Sequence, residues 1–446
     1  MKSILVCSLI LGSVAACGGD DGTTPAPMSH GFTVRLENVA PWTVAKSGAQ
    51  TMKTDGKAGP IGPGEAFEVS FTAGKGHAVT FATMLGESND WFFAPGPAGI
   101  ALYDAAGMPV EGDVTDQVAL WNAGTEIDQE PGVGPDTGPM QATPTQGAPD
   151  PDPTVRLIGP SVVLSDGTPY MVPAVPSMVK ATLMYQGNQT FLLRVENVSA
   201  PMPLHASTGD RVIHASPLVW AVHGVGQMNV VFTPGAADRH QGLEELAEAG
   251  NTAPLAATLA SLSGAATPIS PLLAVVHAMG EPLFSLGQPD TGMGLQALAE
   301  AGNPAMLAAS NPSGLIVNTP MGAAMPGPAL PGQAFEFPIT AMPGDRLSFV
   351  TMFGTSNDWF FATPPDGMPL FGMDGEPLSG DVTERIALYD AGTEINQEPG
   401  VGPDTGPQQM APDQGQADPV NQVRAVPAAE YAQPASAHLR VTLSPI

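Results

Sequence analysis

Acidic and amide side chains recur in two matching loop motifs of this 446-residue chain. Residues 88–93 read Ser-Asn-Asp-Trp-Phe-Phe, and residues 356–361 repeat them. A second motif, Ala-Gly-Thr-Glu-Ile, follows Asn122 in the first copy and Asp390 in the second. Such oxygens suit a hard cation such as calcium, and paired carboxylates near a metal can also act as general bases. Because the same residues commonly cap turns, spacing alone leaves all three interpretations open.

These motifs belong to a long internal repeat. Residues 64–139 align without a gap to residues 332–407. The flanking segments also repeat, pairing 32–39 with 191–198 and 178–183 with 438–443. A repeat of this length in two copies indicates tandem domains rather than a solenoid. We therefore place the first domain at residues 30–186 and the second at residues 187–446.

Both copies are predicted to fold as β-sandwiches. The chain contains 52 glycines and 48 prolines, and turn signals recur about every 8–12 residues between short alternating apolar and polar segments. This pattern predicts a mainly β protein of tandem antiparallel sandwiches. Only the second copy contains a segment with helical periodicity, at about 235–315, where Leu-x-x-Leu pairs end at Gly-Asn. We predict a helical insert in the second domain alone.

The charge balance limits the possible partners. The chain has 43 acidic and 15 basic residues, and its net charge is −28. Nucleic acid is excluded as the main partner, because its phosphates require Lys and Arg. The sequence also contains no Gly-x-Ser-x-Gly, His-Glu-x-x-His or phosphate-loop motif. We predict that the protein is not an enzyme.

The N-terminus resembles a bacterial lipoprotein signal. Lys2 precedes a short apolar run, and Val-Ala-Ala stands directly before Cys17, the position that is acylated in such signals. We predict that residues 1–17 are the signal and lipobox, with residues 18–29 as a tether. Because no Asp follows the cysteine, we expect a lipid-anchored protein of the cell envelope, at the outer membrane or cell surface. The alternative is an ordinary signal cleaved near Ala16.

In combination, four motifs resemble the spondin N-terminal domain, which is found in F-spondin, in mindin and in bacterial secreted proteins. They are Ser-x-Asp-Trp-Phe, Asp-Ala-Gly-Thr, Leu-Ala-Glu-x-Gly and Ser-Pro followed by Val-His. The resemblance covers nearly all of the second domain and the sandwich part of the first. It implies a C2-like antiparallel β-sandwich with a calcium site and a role in extracellular binding or adhesion.

The resemblance also implies three metal-binding positions in each copy: a strand Glu, the loop Asp, and the first residue of Asp-Ala-Gly-Thr. In this chain they are Glu336, Asp358 and Asp390 in the second copy, and Glu68, Asp90 and Asn122 in the first. Asn122 departs from the family pattern and removes a charge. Asp128, which is Asn396 in the second copy, could compensate for that loss.

The remaining candidate residues receive structural interpretations. We interpret the acidic loop that begins at Glu126 as solvated, although it could hold a second cation. Trp91 and Trp359 are interpreted as core residues beneath their loops rather than ligand contacts. His223 and His277 are interpreted as structural, because their spacing matches no zinc pattern.

The sequence thus predicts a lipid-anchored extracellular binding or adhesion module with an unidentified protein or glycan ligand. Two alternatives remain: a metal-dependent hydrolase that uses the paired carboxylates, and a purely structural envelope lipoprotein.

Overall fold

The computed structural model describes residues 28–446 apart from residues 142, 407 and 410. The predicted signal, Cys17 and most of the tether lie outside the described residues. Strands account for 34% of the residues and helices for 10%, so the mainly β prediction is confirmed. None of the helices in the described part of the chain is long and apolar enough to cross a membrane.

The described residues form strands and helices in the following chain order. The first half contains β1 (His30–Asn38), β2 (Lys46–Gln50), β3 (Ala66–Thr72), β4 (His77–Met84), β5 (Trp91–Pro95), β6 (Ile100–Ala101), β7 (Gly112–Asp113), β8 (Val118–Asn122), β9 (Arg156–Leu157), β10 (Ser161–Val163), β11 (Pro169–Met171), β12 (Val179–Gly187), β13 (Thr190–Asn197), β14 (Leu218–Gly224), α1 (Leu243–Ala249) and α2 (Ala253–Ser261). The second half contains β15 (Leu272–His277), α3 (Leu295–Ala301), α4 (Ala305–Ser310), β16 (Leu315–Val317), β17 (Ala334–Ala341), β18 (Arg346–Met352), β19 (Trp359–Ala362), β20 (Met368–Pro369), β21 (Gly380–Asp381), β22 (Ala387–Asp390), β23 (Arg424–Ala425) and β24 (Leu439–Pro445).

The strands build two sandwiches with equivalent strand orders. In the first sandwich, sheet β3-β13-β12-β7 packs on sheet β2-β14-β4-β5-β8-β9. In the second, sheet β17-β1-β24-β21 packs on sheet β16-β15-β18-β19-β22-β23. The short strands β6 and β20 pair with β4 and β18. Each strand of these two sheets therefore has a counterpart in the second sandwich, whereas the β10–β11 hairpin of the first domain has none among the described residues.

The predicted domain boundaries are wrong at two strands. β1 pairs with β17 and β24 in the second sandwich, although it opens the chain. β13 pairs with β3 and β12 in the first sandwich. The first domain is thus the continuous segment 44–262, and the second combines residues 30–38 with residues 265–446. The expected boundary between residues 186 and 187 cuts the β12–β13 hairpin.

Turn geometry explains this assignment. β1 and β13 share the same alternation of apolar and polar residues and both end in Glu-Asn, and they occupy equivalent places, β1 beside β24 and β13 beside β12. Asn188 and Gln189 have φ angles of 48° and 56°, as a two-residue hairpin turn requires. This turn joins β13 directly to β12, and the equivalent place beside β24 is filled by β1.

A buried asparagine secures each of these two strands. Asn38 donates through Nδ2 to the carbonyls of Thr267 and Ala329, at 2.9 and 3.0 Å. Asn197 makes the equivalent bonds in the first domain, at 3.1 and 2.8 Å. Both asparagines are 0% exposed. The same side chain therefore anchors β1 in one domain and β13 in the other.

A helical pair covers the larger sheet of both domains, so the prediction of one insert in the second domain is also wrong. α1 and α2 share an apolar cluster with β4, β5 and β14. α3 contacts β18 and β19, and α4 packs in the same cluster. The predicted Leu-x-x-Leu helices are α1 and α3, which end at Gly250 and Gly302 with a φ of 64°. Glycine adopts this left-handed conformation at little cost.

Candidate functional site

The aspartates of the two Ser-Asn-Asp-Trp-Phe-Phe motifs are buried directly before β5 and β19. Asp90 Oδ2 accepts hydrogen bonds from the backbone N–H groups of Thr125 and Glu126, at 3.0 and 3.3 Å. Asp358 holds the second Ala-Gly-Thr-Glu motif in the same way, at 2.9 and 3.1 Å. Asp90 thereby joins the loop before β5 to the loop after β8, and Asp358 joins the loop before β19 to the loop after β22.

The last residue of β8 and the last residue of β22 each belong to a pair of one acid and one amide. The acid and the amide exchange positions between the two copies. Asn122 Nδ2 donates to Asp128 Oδ1 at 2.8 Å. In the second domain, Asn396 Nδ2 donates to Asp390 Oδ2 at 2.9 Å. The tryptophan of each loop donates its indole N–H to the second member of the pair, at 2.6 and 2.9 Å. The carboxylate has therefore changed places with its amide partner.

An arginine contacts this carboxylate in both domains. Arg156 lies 3.5 Å from Asp128, and Arg424 lies 2.5 Å from Asp390. Burial raises the pKa of Asp390, while hydrogen bonds and Arg424 act in the opposite direction. Because the oxygens of Asp390 already accept bonds from Gly392, Asn396 and Arg424, this acid is part of an internal network.

The strand glutamates expected to complete the metal sets lie on the smaller sheets. Glu68 on β3 is opposite Arg194, with 2.8 Å between the charged atoms. Glu336 on β17 is opposite Arg35, at 3.8 Å. Both glutamates alternate with buried neighbours and therefore point out of the core. Each forms a cross-strand ion pair on the outer face of its sandwich.

One compact group of potential metal ligands occurs elsewhere in the described part of the chain. Asp238, His240 and Glu244 are the only three His, Cys, Asp or Glu residues there with ligand atoms all within 4.8 Å of one another. Its histidine side chain is 83% exposed. The expected set of the second copy, Glu336 with Asp358 and Asp390, is thus not assembled within this distance.

Two glutamates and a glutamine extend each buried aspartate into a larger group. The first acidic cluster comprises Asp90, Glu126, Glu248 and Gln141, and the second comprises Asp358, Glu394, Glu300 and Gln409. All six acids are at most 1% exposed. The interpretation of the Glu126 loop as solvated is therefore wrong. Sequence reasoning missed Glu248 and Glu300, although the Leu-Ala-Glu-Ala-Gly helix that carries them occurs twice.

Side-chain and backbone donors hold the first acidic cluster together. Gln141 Nε2 donates to Glu126 Oε1 at 2.9 Å and to Glu248 Oε2 at 3.4 Å. The backbone N–H groups of Gly147 and Thr145 donate to the same two oxygens, each at 2.6 Å. A Cβ at Gly147 would lie 2.6 Å from the Glu126 carboxylate, so the chain requires glycine at this close approach.

The second acidic cluster repeats this arrangement. Gln409 Nε2 donates to Glu394 Oε1 at 2.9 Å, and Gly415 N–H donates to the same atom at 2.7 Å. The backbone N–H of Asp413 donates to Glu300 Oε2 at 2.5 Å. One oxygen of each glutamate is therefore satisfied by the protein in both domains.

The other oxygens of the clusters are buried without a hydrogen-bond partner. They are Asp90 Oδ1, Glu126 Oε2, Glu248 Oε1 and Gln141 Oε1, and in the second domain Asp358 Oδ1, Glu394 Oε2, Glu300 Oε1 and Gln409 Oε1. Burial, together with the neighbouring carboxylates, raises the pKa of Glu248 to about 7 and that of Asp90 well above its usual range. Burial and the charge of Asp390 likewise raise the pKa of Asp358.

The aromatic and histidine candidates have structural positions. Trp91 and Trp359 are 0% and 2% exposed, which confirms that they are core residues. His223 is buried, with Nδ1 3.0 Å from the Gly224 carbonyl. His277 Nε2 lies 2.8 Å from a serine hydroxyl on the neighbouring strand.

A cleft of about 580 Å³ opens beside the first acidic cluster. Its walls are mainly apolar and include Met84, Pro139 and Pro217. Glu87 Oε1 and His214 Nδ1 lie 2.7 Å apart in the wall and form a hydrogen bond. The Glu87 bond raises the pKa of His214, with burial acting in the opposite direction.

The equivalent cleft of the second domain is smaller and chemically different. Its volume is about 210 Å³. At the positions of Glu87, His214 and Arg211 in the first cleft, the second copy has Thr355, Pro268 and Ala265. The duplicated fold thus contains one large cleft with charged groups and one small cleft without that set.

No family model matches this chain, and no curated protein matches it either. The resemblance to the spondin domain therefore stays a prediction.

Proposed function

We propose that this protein is a non-catalytic binding module displayed at the bacterial cell envelope, and that the large cleft of the first domain receives its ligand. The cleft falls within the range of roughly 300–1,000 Å³ that is usual for small-molecule sites. The observation that carries the proposal is the difference between the two clefts. The folds of the two domains are otherwise closely equivalent, so the fold itself does not require the larger, charged cleft.

Arg211 indicates the chemistry of the ligand. Its Nε donates to the Gly132 carbonyl at 3.4 Å, and one terminal nitrogen donates to the Thr208 hydroxyl at 2.7 Å. Among the described residues, no carboxylate oxygen lies within 4.0 Å of this guanidinium. The chain has 43 acidic residues, yet none of those described neutralises this cation. An apolar cleft lined by an unneutralised arginine suits a small amphipathic ligand with a carboxylate.

The N-terminal sequence supports the cellular location. A lipobox ending at Cys17 would attach the protein to a membrane through acyl chains, and two or more chains anchor stably where one does not. Calcium is the proposed cofactor. An adhesive role follows if the carboxylate belongs to a protein or glycan on another surface.

Isothermal titration of the full chain with decanoate tests the cleft. The chain should carry Cys17→Ala, which on this proposal leaves it soluble. We expect binding, and we expect Arg211→Met to weaken it roughly tenfold or more, because a charge-assisted hydrogen bond contributes about 1.5–3 kcal/mol. Arg385→Met is the matched control, since Arg385 is exposed on the second domain, and it should leave the affinity unchanged.

Three results would overturn the proposal. If Arg211→Met and Arg385→Met bind decanoate equally well, the cleft is not the site. If the chain hydrolyses decanoyl esters and loses that activity with calcium chelation, the metal-dependent hydrolase is the better description. If decanoate and aromatic carboxylates all fail to bind, the structural envelope protein is favoured instead.

A further inference from the structure

Methionine lies on the surface of this protein far more often than its apolar side chain predicts. The chain contains 21 methionines, and 19 of them are among the described residues. Of these 19, 15 are exposed and four are buried. The most exposed are Met373, Met279, Met28, Met325 and Met171, each at 70% or more. Methionine is ordinarily among the residues most often buried.

Leucine has the ordinary distribution in the same structure. Only four of the 31 leucines among the described residues are exposed, namely Leu157, Leu286, Leu315 and Leu330. Leucine and methionine have similar volumes and replace each other in cores at little cost. A lack of buried space would therefore expose both residues alike. The difference between them points to the sulfur atom of methionine.

The exposed methionines are spread over both domains and do not form one patch. In the first domain, Met171 lies on β11 and Met184 on β12. In the second, Met306 lies on α4, which covers the larger sheet, whereas Met342 directly follows β17 of the smaller sheet. A single methionine-rich groove would indicate a docking surface for a protein partner. Methionines on several faces instead suit a small reactant that approaches from any direction.

The internal repeat separates the buried methionines from the exposed ones. Met84 and Met352 occupy equivalent positions in the two copies, and both are buried. The exposed methionines of the aligned segments 64–139 and 332–407 are Met108, Met342 and Met373, and none of them has a methionine at the equivalent position. Methionine is thus retained in place where it packs in the core. On the surface its number is high but its positions differ, as expected if the number matters more than the position.

No thiol in the described part of the chain competes with these thioethers for an oxidant. The cysteines of the chain are Cys7 and Cys17, and both lie in the predicted signal and lipobox. If Cys17 is acylated as predicted, its thiol is consumed. The methionines then supply the reactive sulfur of the mature protein.

We propose that the exposed methionines act together as a sacrificial sink for two-electron oxidants of the class of hydrogen peroxide and hypochlorous acid. In each event the sulfur loses two electrons and becomes a sulfoxide. With hydrogen peroxide, the sulfur lone pair attacks one oxygen, the O–O bond breaks, and the other oxygen leaves as water. With hypochlorous acid, the sulfur gains an oxygen while chloride and a proton are released. This role is separate from ligand binding in the cleft.

Exposure allows the fold to tolerate this oxidation. A sulfoxide is polar, so it disrupts a core position but remains hydrated at the surface. Met84, Met178, Met352 and Met368 are at most 5% exposed, and solvent oxidants reach them last. The folded chain can therefore take up one oxygen at each exposed methionine, and methionine sulfoxide reductases can reverse the change.

Stepwise oxidation of the full chain carrying Cys17→Ala tests the capacity of the sink. Hydrogen peroxide and hypochlorous acid are used in separate arms, and mass spectrometry counts the sulfoxides, at about 16 Da each. We expect oxygen uptake at the 15 exposed methionines with an unchanged circular dichroism spectrum. Unfolding before these residues are consumed, or equally fast oxidation of Met84 and Met352, would overturn the proposal. An effect in one arm only would identify the oxidant.

A variant with four of the most exposed methionines replaced by glutamine should take up four fewer oxygen atoms. Its changes are Met171→Gln, Met279→Gln, Met325→Gln and Met373→Gln. The matched control replaces the four exposed leucines with glutamine and should leave the uptake unchanged. Arg211→Met, which tests the cleft, should also leave the uptake unchanged, so that the two proposals fail separately.

Survival of bacteria that display the chain tests the protective role. Cells with the wild-type chain should withstand a higher dose of oxidant than cells in which all 15 exposed methionines are glutamine, at equal surface amounts of folded protein. The four-glutamine methionine variant should be intermediate, and the leucine control should match the wild type. Equal survival of wild-type cells and of both methionine variants would overturn the proposal.

Discussion

The two domains share their buried polar groups and differ in their clefts. Both contain an acidic cluster, an anchoring asparagine and a helix that ends at a left-handed glycine. The cleft positions of Glu87 and His214 have become Thr355 and Pro268 in the second domain. Groups that the fold and its proposed metal need are thus retained in both copies. The groups that would recognise a ligand are present in one copy only.

The order of the chain adds a second difference between the domains. The first domain is one continuous segment, whereas the second needs β1 from the opposite end of the chain. The first domain therefore lies within the sequence of the second. Loss of β1 would expose the edges of β17 and β24, while the first sandwich keeps all its strands.

The largest expected effect concerns the anchoring asparagines. Asn197→Ala and Asn38→Ala each remove two hydrogen bonds to buried carbonyls. We expect either change to lower the free energy of unfolding of its own domain by about 3 kcal/mol, because unsatisfied buried groups cost about 1–3 kcal/mol each. Calorimetry of the full chain measures both transitions. Asn318→Ala, at an exposed position, is the milder comparison.

Equal losses in the two domains would support the equivalence of β1 and β13. If Asn38→Ala destabilises the first domain rather than the second, the assignment of β1 to the second sandwich is wrong.

A smaller effect is expected from acid, and in the second domain it is expected at His438. His438 is fully buried, and burial lowers its pKa to about 3. The unfolded side chain titrates near 6.5, so protonation favours the unfolded state as the pH falls from 6.5 toward 3. Stability supplied by the neutral form is complete above pH 6.5 and declines below it. By pH 5 the stability lost in this way is about 2 kcal/mol.

The first domain has Met178 at the corresponding position, also fully buried. His438→Met should therefore reduce the loss of stability of the second domain between pH 7 and pH 5. Urea unfolding at both pH values measures this difference. An unchanged pH dependence would show that His438 is not held neutral in the folded state.

The smallest effect is expected at the strand glutamates. Glu68 and Glu336 form ion pairs with Arg194 and Arg35, and their side chains are 38% and 40% exposed. Surface ion pairs contribute about 0–1 kcal/mol. Glu68→Gln and Glu336→Gln should each change the free energy of unfolding by less than about 1 kcal/mol, with or without calcium. A large change that occurs only when calcium is present would restore these residues as metal ligands.

Much of the local structure was predictable from the sequence. Alternation of apolar and polar residues indicated β1, β3 and β4, and the Leu-x-x-Leu spacing with Gly-Asn indicated α1 and α3. The aromatic context of Trp91 and Trp359 predicted their burial. These features depend on the period of side chains along one element, which neighbouring residues determine.

The residues of the candidate site were only partly predictable. Asp90 and Asp358 were found because they stand in a repeated loop. Glu126 and Glu248 are separated by more than a hundred residues in the chain, and Glu248 lies on a helix that was assigned to the other domain. Their meeting depends on the packing of α1 against β4 and β5, which no spacing rule contains.

The sequence by itself determined the repeat, the mainly β class and the ends of the principal elements, because these follow from short-range periodicity and turn chemistry. Only the tertiary structure decided which strand completes each sandwich, since β1 and β13 share one apolar pattern and a two-residue turn selects between them. It also decided which carboxylates are ion-paired and which remain buried without a partner. That distinction depends on distances between residues far apart in the chain, and on the exclusion of water from the space between them.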